Sequence, residues 1–97
     1  MSYWNLPGLL LASLLAFTTA GCASAPVQEM SDARQAIRAA RDAGAAEKAP
    51  AMLDEARSLL ASAEAHLEKR EFREARDDAV AAHERAVEAM HASEETP

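Results

Sequence analysis

The sequence predicts an all-α protein in which a short helix precedes an antiparallel helical hairpin. The residues from Cys22 to Pro97 contain 22 alanines and a single aromatic residue, Phe72. Alanine, glutamate and arginine favour helices, whereas strands are rich in the β-branched and aromatic residues that are scarce here. Apolar residues also recur at intervals of three and four, which places them on one face of a helix.

The first 21 residues differ in composition from the rest of the chain. They carry no charged side chain, and the run from Leu9 to Ala20 has the length and apolarity of the hydrophobic part of a signal peptide. We therefore expect residues 1–21 to be a lipoprotein signal peptide that contributes nothing to the fold of the remaining residues.

The only cysteine of the chain, Cys22, follows the small residues Ala20 and Gly21 at the end of this apolar run. Thr19-Ala20-Gly21-Cys22 resembles the lipobox of bacterial lipoproteins. The resemblance implies cleavage between Gly21 and Cys22, a diacylglycerol thioether on Cys22 and often an N-acyl chain on its new amine. Ala23 follows, and in such lipoproteins a residue other than Asp at this position usually permits export to the outer membrane. An inner-membrane anchor is the alternative.

Two other interpretations of the first segment stay open on the sequence alone. No charged side chain precedes Glu29, and Leu6 to Val27 approaches the roughly 20 residues that a membrane span needs. An uncleaved span would make the protein a membrane-spanning regulator. Cys22 as a free buried thiol is the remaining alternative.

All charged residues lie after Cys22, so the net charge of −6 belongs to this part of the chain. Lys and Arg are interleaved with Asp and Glu, which argues against binding nucleic acid or adhering electrostatically to anionic lipid. The chain has no second cysteine for a disulfide, so helix packing has to hold the fold together. We predict a lipidated tether over residues 22–30, a helical domain over 31–92 and a disordered tail over 93–97.

The first predicted helix extends from about Asp32 to Ala43. Ser31 has the side chain of an N-cap, and Asp32 places a carboxylate in the first turn, where it favours the helix dipole. Gly44 is predicted as the C′ residue that ends the helix. Small residues around Ile37 make a narrow apolar stripe.

The hairpin is predicted from two further apolar stripes on either side of Lys69-Arg70-Glu71. Pro50 suits the first turn of a second helix, because its missing N–H would be unpaired there anyway. A third helix runs from Phe72 to about Ala92, and leucines of the second helix enter its shallow alanine side. One continuous helix through residue 70 is the alternative, but it would leave its apolar stripe in water. The predicted packing residues are Leu53, Ala56, Leu60, Ala63 and Leu67 in the second helix, and Phe72, Ala75, Ala79, Ala82 and Ala86 in the third.

The residue inventory argues against an enzyme. The part after Cys22 has no Tyr, Trp or Asn, and Gly44 is its only glycine, which leaves no phosphate-binding loop or oxyanion turn. His66 and His83 would lie roughly 13 Å apart along the hairpin, too far to share one zinc ion. We expect no catalysis, no metal and no cofactor other than the lipid on Cys22.

Several short motifs resemble one known family. They are Ser31-Asp32-Ala33-Arg34, Ala43-Gly44-Ala45-Ala46, Leu53-Asp54-Glu55-Ala56-Arg57 and Phe72-Arg73-Glu74-Ala75-Arg76. Together with the lipobox, they resemble the domain-of-unknown-function family 4398 over most of Met30 to His91. The resemblance implies a small helical domain of the bacterial envelope, often a lipoprotein, and it supplies no catalytic residues.

We expect a lipid-anchored, periplasm-facing interaction or scaffold module. An Ala-rich structural oligomer resembling murein lipoproteins is the alternative, although Gly44 and Pro50 interrupt the long helix that it needs. The pattern around Phe72 also loosely resembles a tetratricopeptide repeat, a peptide-binding unit that requires stacked neighbours. Val80, Val87 and Met90 project beside the main stripe of the third helix. We predict that they form the face for an envelope partner or for self-association.

Overall fold

A computed structural model describes residues 24–97, and these residues form an all-α bundle with four helices and no strand. The all-α prediction is confirmed. The helices are α1 (Val27–Asp42), α2 (Ala45–Lys48), α3 (Pro50–Glu68) and α4 (Phe72–Glu95). The short helix α2 lies between Gly44 and Pro50, a segment for which the sequence analysis predicted no helix.

Helices α3 and α4 form the predicted antiparallel hairpin, and α1 packs against it. Ile37 of α1 shares a buried cluster with Leu53 of α3 and Ala86 of α4. Met30, in the first turn of α1, shares another cluster with Ala63 and Ala79. Going from the Met30 cluster to the Ile37 cluster, residue numbers increase in α1 and α4 and decrease in α3. Helix α1 is parallel to α4, and α4 is the central helix because it packs extensively on both others.

The core of the bundle consists mainly of alanine. Met30 and Leu53 are the large apolar side chains that are fully buried. Among the predicted packing residues, Leu60 and Leu67 are half-buried at the edges of the core, and Phe72 is half-buried where α4 begins. Short side chains allow the helix backbones to approach one another closely. The predicted residues that are completely buried are Leu53, Ala56, Ala63, Ala75, Ala79, Ala82 and Ala86.

Helix α1 begins at Val27, whereas the sequence indicated Asp32, so the end of the predicted tether over residues 22–30 is helical. Ser31 does not cap the helix, because it lies one turn inside it, and its hydroxyl accepts a hydrogen bond from Gln35 Nε2 at 3.3 Å. Met30 explains the earlier start. Its side chain is only 2% exposed, and burying it against the hairpin extends the helix beyond the local capping signal.

Helix α4 ends at Glu95, so the tail predicted over residues 93–97 is helical for most of its length. Ser93 continues the buried row of α4 by one further turn. Its hydroxyl donates a hydrogen bond of 2.7 Å to the carbonyl of Ala89, which satisfies the polar group inside the helix itself. A buried serine of this kind extends an alanine stripe without appearing apolar in the sequence.

Two residues with positive φ end the helices that precede them. Gly44, at φ 91°, ends α1 as predicted. Arg70, at φ 62°, ends α3 and excludes one continuous helix through the hairpin. The N–H of Arg70 donates to the carbonyl of Leu67 at 3.0 Å, and the N–H of Glu71 donates to that of His66 at 2.9 Å. These two bonds form a Schellman motif with arginine in the position that usually holds glycine.

Candidate interaction groove

The predicted partner face lies along a groove between α1 and α4. Val80 is 42% exposed, and among the large apolar residues of the described part only Val80 and Val27, at the start of α1, are exposed. Val87 and Met90 are half-buried and line the groove itself, which has a volume of about 320 Å³. A smaller depression of about 60 Å³ lies beside Val80. The groove is lined by Asp32, Gln35, Ala36, Ala39, His83, Val87 and Met90.

Helical periodicity places the lining side chains in two facing rows. On α4, Val80, His83, Val87 and Met90 follow one another at intervals of three, four and three, so they share one face beside the buried alanines. On α1, the facing row contains Ala36 and Ala39. Because these two residues offer only methyl groups, the space between the helices stays open above them.

An ion pair joins the two helices near one end of the groove. Arg76 Nε lies 3.3 Å from Glu29 Oε2, and Arg76 Nη2 donates to the carbonyl oxygen of Ser24 at 3.0 Å. Glu29 also lines the smaller depression next to Val80. The N-terminal ends of α1 and α4 are thereby held together.

One carboxylate lines the groove, and two more lie on α4 next to its apolar row. Asp32 lines it and accepts a hydrogen bond of 2.8 Å from Gln28 Nε2. Glu84 is exposed and lies one turn from both Val80 and Val87, and Asp77 lies one turn before Val80. Within residues 24–97, the carboxylates of Asp32, Asp77 and Glu84 form no ion pair. The groove therefore combines an apolar floor with an acidic border.

A second polar cluster lies where α3 turns into α4, and the sequence did not predict it. Ser62 Oγ donates a hydrogen bond of 2.6 Å to Asp78 Oδ2. His66 Nδ1 lies 3.0 Å from Glu71 Oε1, and its Nε2 lies 3.6 Å from Asp78 Oδ2. The serine hydroxyl is directed to a carboxylate and not to the imidazole, so the group lacks the nucleophile–base pair of a hydrolase. Its evident role is to join the two helices of the hairpin.

The two histidines considered as metal ligands lie in different places. His66 belongs to the polar cluster at the hairpin turn, whereas His83 lines the groove. Across the part of the chain that the structure describes, no group of three His, Cys, Asp or Glu side chains is placed to hold a metal ion.

Gly21 and Cys22, the predicted cleavage and lipidation residues, lie outside the described residues. The described part begins at Ser24, next to the start of α4. None of the helices between residues 24 and 97 combines the length and hydropathy needed to cross a membrane.

No protein-family model matches this chain, and no curated protein or solved structure is significantly similar to it. The residues and geometry described above are therefore the basis for proposing a function.

Proposed function

We propose that this protein is a lipid-anchored interaction module of the bacterial cell envelope, with no catalytic activity. The observation that carries the interaction role is the open groove between α1 and α4, beside which Val80 is 42% exposed. Val87 and Met90 continue the row of Val80 along the groove, so the accessible apolar groups adjoin one another, as in a binding surface. The lipobox-like Thr19-Ala20-Gly21-Cys22 supports the anchor.

The position of α1 supports a short distance between anchor and bundle. Helix α1 begins at Val27, so only residues 23–26 separate it from Cys22, and an extended chain of that length spans roughly 14 Å. Ser24 is also bound to Arg76 at the start of α4. A lipid on Cys22 would therefore hold the hairpin turn and the N-terminal end of α1 close to the bilayer.

The folded shape supports a module and not a rod. A murein-type structural lipoprotein needs one long helix, but Gly44 and Arg70 each end a helix here and fold the chain back on itself. The resulting bundle presents a groove between parallel helices, which a single extended helix lacks.

Cys22→Ser tests the anchor. The variant should lose the lipid mass, keep its signal peptide and leave the detergent-rich phase when membranes are extracted. Ser24→Ala, two residues further on, is the matched control and should keep both the lipid and the cleavage. An unchanged intact mass in the Cys22 variant would rule out lipidation, and Met1 retained in the natural protein would favour the membrane-spanning alternative.

A photoreactive residue tests the interaction role in intact cells. Placed at Val80, it should give a discrete protein adduct on irradiation, because this side chain lies beside the groove. Placed at Ser58, which is exposed on α3, it should give much less of the same adduct. Equal labelling from both positions would contradict a specific binding face.

A further inference from the structure

We infer that the groove between α1 and α4 binds an amphipathic helix of a partner protein whose apolar stripe is flanked by lysine or arginine. This inference rests on the proposed interaction function and specifies the class of partner.

The dimensions of the groove suit a helix. Val80 and Val87 are one heptad apart on α4, a rise of about 10.5 Å along the axis, and Met90 continues the row by another turn. A helix lying along the groove would present its own apolar residues at the same heptad spacing, as in other helix-in-groove complexes. The methyl groups of Ala36 and Ala39 leave space for the side chains of that helix.

The charges at the border select the partner. Asp32 on the α1 side, and Asp77 and Glu84 on the α4 side, form no ion pair within residues 24–97. Arg76, the basic residue one turn before Val80, is already paired with Glu29. Arg73 lies a further turn away, toward the end of the groove. Cationic side chains on either side of an incoming apolar stripe would therefore complement both borders.

The same charges disfavour a second copy of this chain as the occupant. A twofold pair built on this groove would bring the same surface of each copy together. Asp32 and Glu84 of one copy would then face the same acidic border on the other, and each copy carries a net charge of −6. Like charges placed together oppose association.

Binding of two synthetic helices tests the inference. The full chain is incorporated in nanodiscs of zwitterionic lipid, and fluorescence anisotropy follows labelled helical peptides of about three heptads. Both peptides carry the same leucine stripe, one flanked by lysines and the other by glutamates. Empty nanodiscs give the binding to lipid, which is subtracted. We expect the lysine-flanked peptide to bind about tenfold or more tightly than the glutamate-flanked one, and its affinity to fall as salt rises.

Variants locate the binding. The double variant Val80→Ser with Val87→Ser should lower the affinity for the lysine-flanked peptide about tenfold. Val27 is an exposed valine outside the groove, and Val27→Ser should leave that affinity unchanged. The double variant Asp32→Asn with Glu84→Gln should lower this affinity about threefold and reduce its dependence on salt. Glu47→Gln with Glu68→Gln makes the same change of charge away from the groove and should have less effect. Circular dichroism of each variant establishes that the bundle is intact.

Three results would overturn the inference. They are the absence of binding by the lysine-flanked peptide, equal binding of the two peptides, and groove variants that bind like their controls. A dimer of the full chain crosslinked through Val87 would assign the groove to a second copy instead. The lipid mass on Cys22 is measured on the same preparation. If the chain carries the lipid but its groove does not bind the peptides, this inference is contradicted and the proposal of a lipid anchor still holds.

Discussion

Arg76 of α4 binds Glu29 of α1 across the helix interface, with 3.3 Å between Nε and Oε2. The two side chains are 37% and 34% exposed, so water screens the pair only in part. Arg76 also reaches the carbonyl of Ser24, which precedes α1. One side chain of the last helix thus holds the beginning of the first.

Arg76→Ala should loosen the start of α1. We expect faster hydrogen exchange at the amide of Met30, which donates to the carbonyl of Pro26 in the first turn. The free energy of global unfolding should fall by only about 0.5 kcal/mol, as is usual for a partly exposed ion pair. Arg57→Ala is the control, because Arg57 pairs with Asp54 inside the same helix. Equal protection of Met30 in both variants would show that the pair does not hold α1.

Ala79→Glu should destabilise the bundle severely. Ala79 is completely buried in an apolar cluster with Met30 and Ala63. An unpaired carboxylate there should reduce the free energy of unfolding by about 3 kcal/mol or more. Thermal melts followed by circular dichroism measure the loss. Glu84→Ala on the exposed side should stay within about 0.5 kcal/mol of the natural protein, and similar melting of the two variants would contradict the packing described.

Arg70→Gly should stabilise the hairpin. Arg70 has φ 62°, a conformation that costs a residue with a side chain roughly 1 kcal/mol relative to glycine. We expect a gain of that order, reduced by the greater freedom of glycine in the unfolded chain. Urea denaturation measures it. Lys69→Gly is the matched control, since Lys69 has φ −85° and should lose stability. A loss in both variants would mean that the left-handed turn is not strained.

Asp78→Ala should cost more than the neighbouring change Asp77→Ala. Asp78 accepts the hydrogen bond from Ser62 and faces His66, so its removal should lower the free energy of unfolding by about 1 kcal/mol. Asp77 is exposed, and its removal should change stability by less than about 0.5 kcal/mol. Urea denaturation at neutral pH separates the two. Equal effects would show that the polar cluster contributes nothing to the hairpin.

The hairpin and its alanine packing could be predicted because their signals are local. Gly44 and Pro50 mark helix ends through their own backbone chemistry, and the heptad spacing of small residues identifies the buried face of α4. The start of α1 could not be predicted in this way. Met30 extends that helix because it packs against Ala63 and Ala79, which are distant in the chain and carry no local sign of the contact.

The candidate interaction groove could be predicted only in part, for the same reason. Val80, Val87 and Met90 stand beside the alanine stripe by helical periodicity, so their shared face follows from spacing alone. The opposite wall, with Asp32 and Ala36, depends on α1 packing parallel to α4. That direction is decided by contacts among all three long helices. The turn was predicted at Lys69-Arg70-Glu71, but the left-handed conformation of Arg70 was not, because arginine carries no signal for it.

The buried row on α4 consists almost entirely of alanine, so packing alone does not fix how the helices align along their axes. Sliding α4 by one heptad would bring methyl groups against much the same surface, so close-packed alanines discriminate poorly between neighbouring registers. Polar pairs that cross between helices do discriminate, because a slide of one heptad separates every donor from its acceptor. Each pair is worth little as stability, yet together they select one alignment. Ser62 with Asp78, Glu55 with Arg85 and Glu29 with Arg76 fix α4 in this way, and Arg34 with Glu64 aligns α1 with α3.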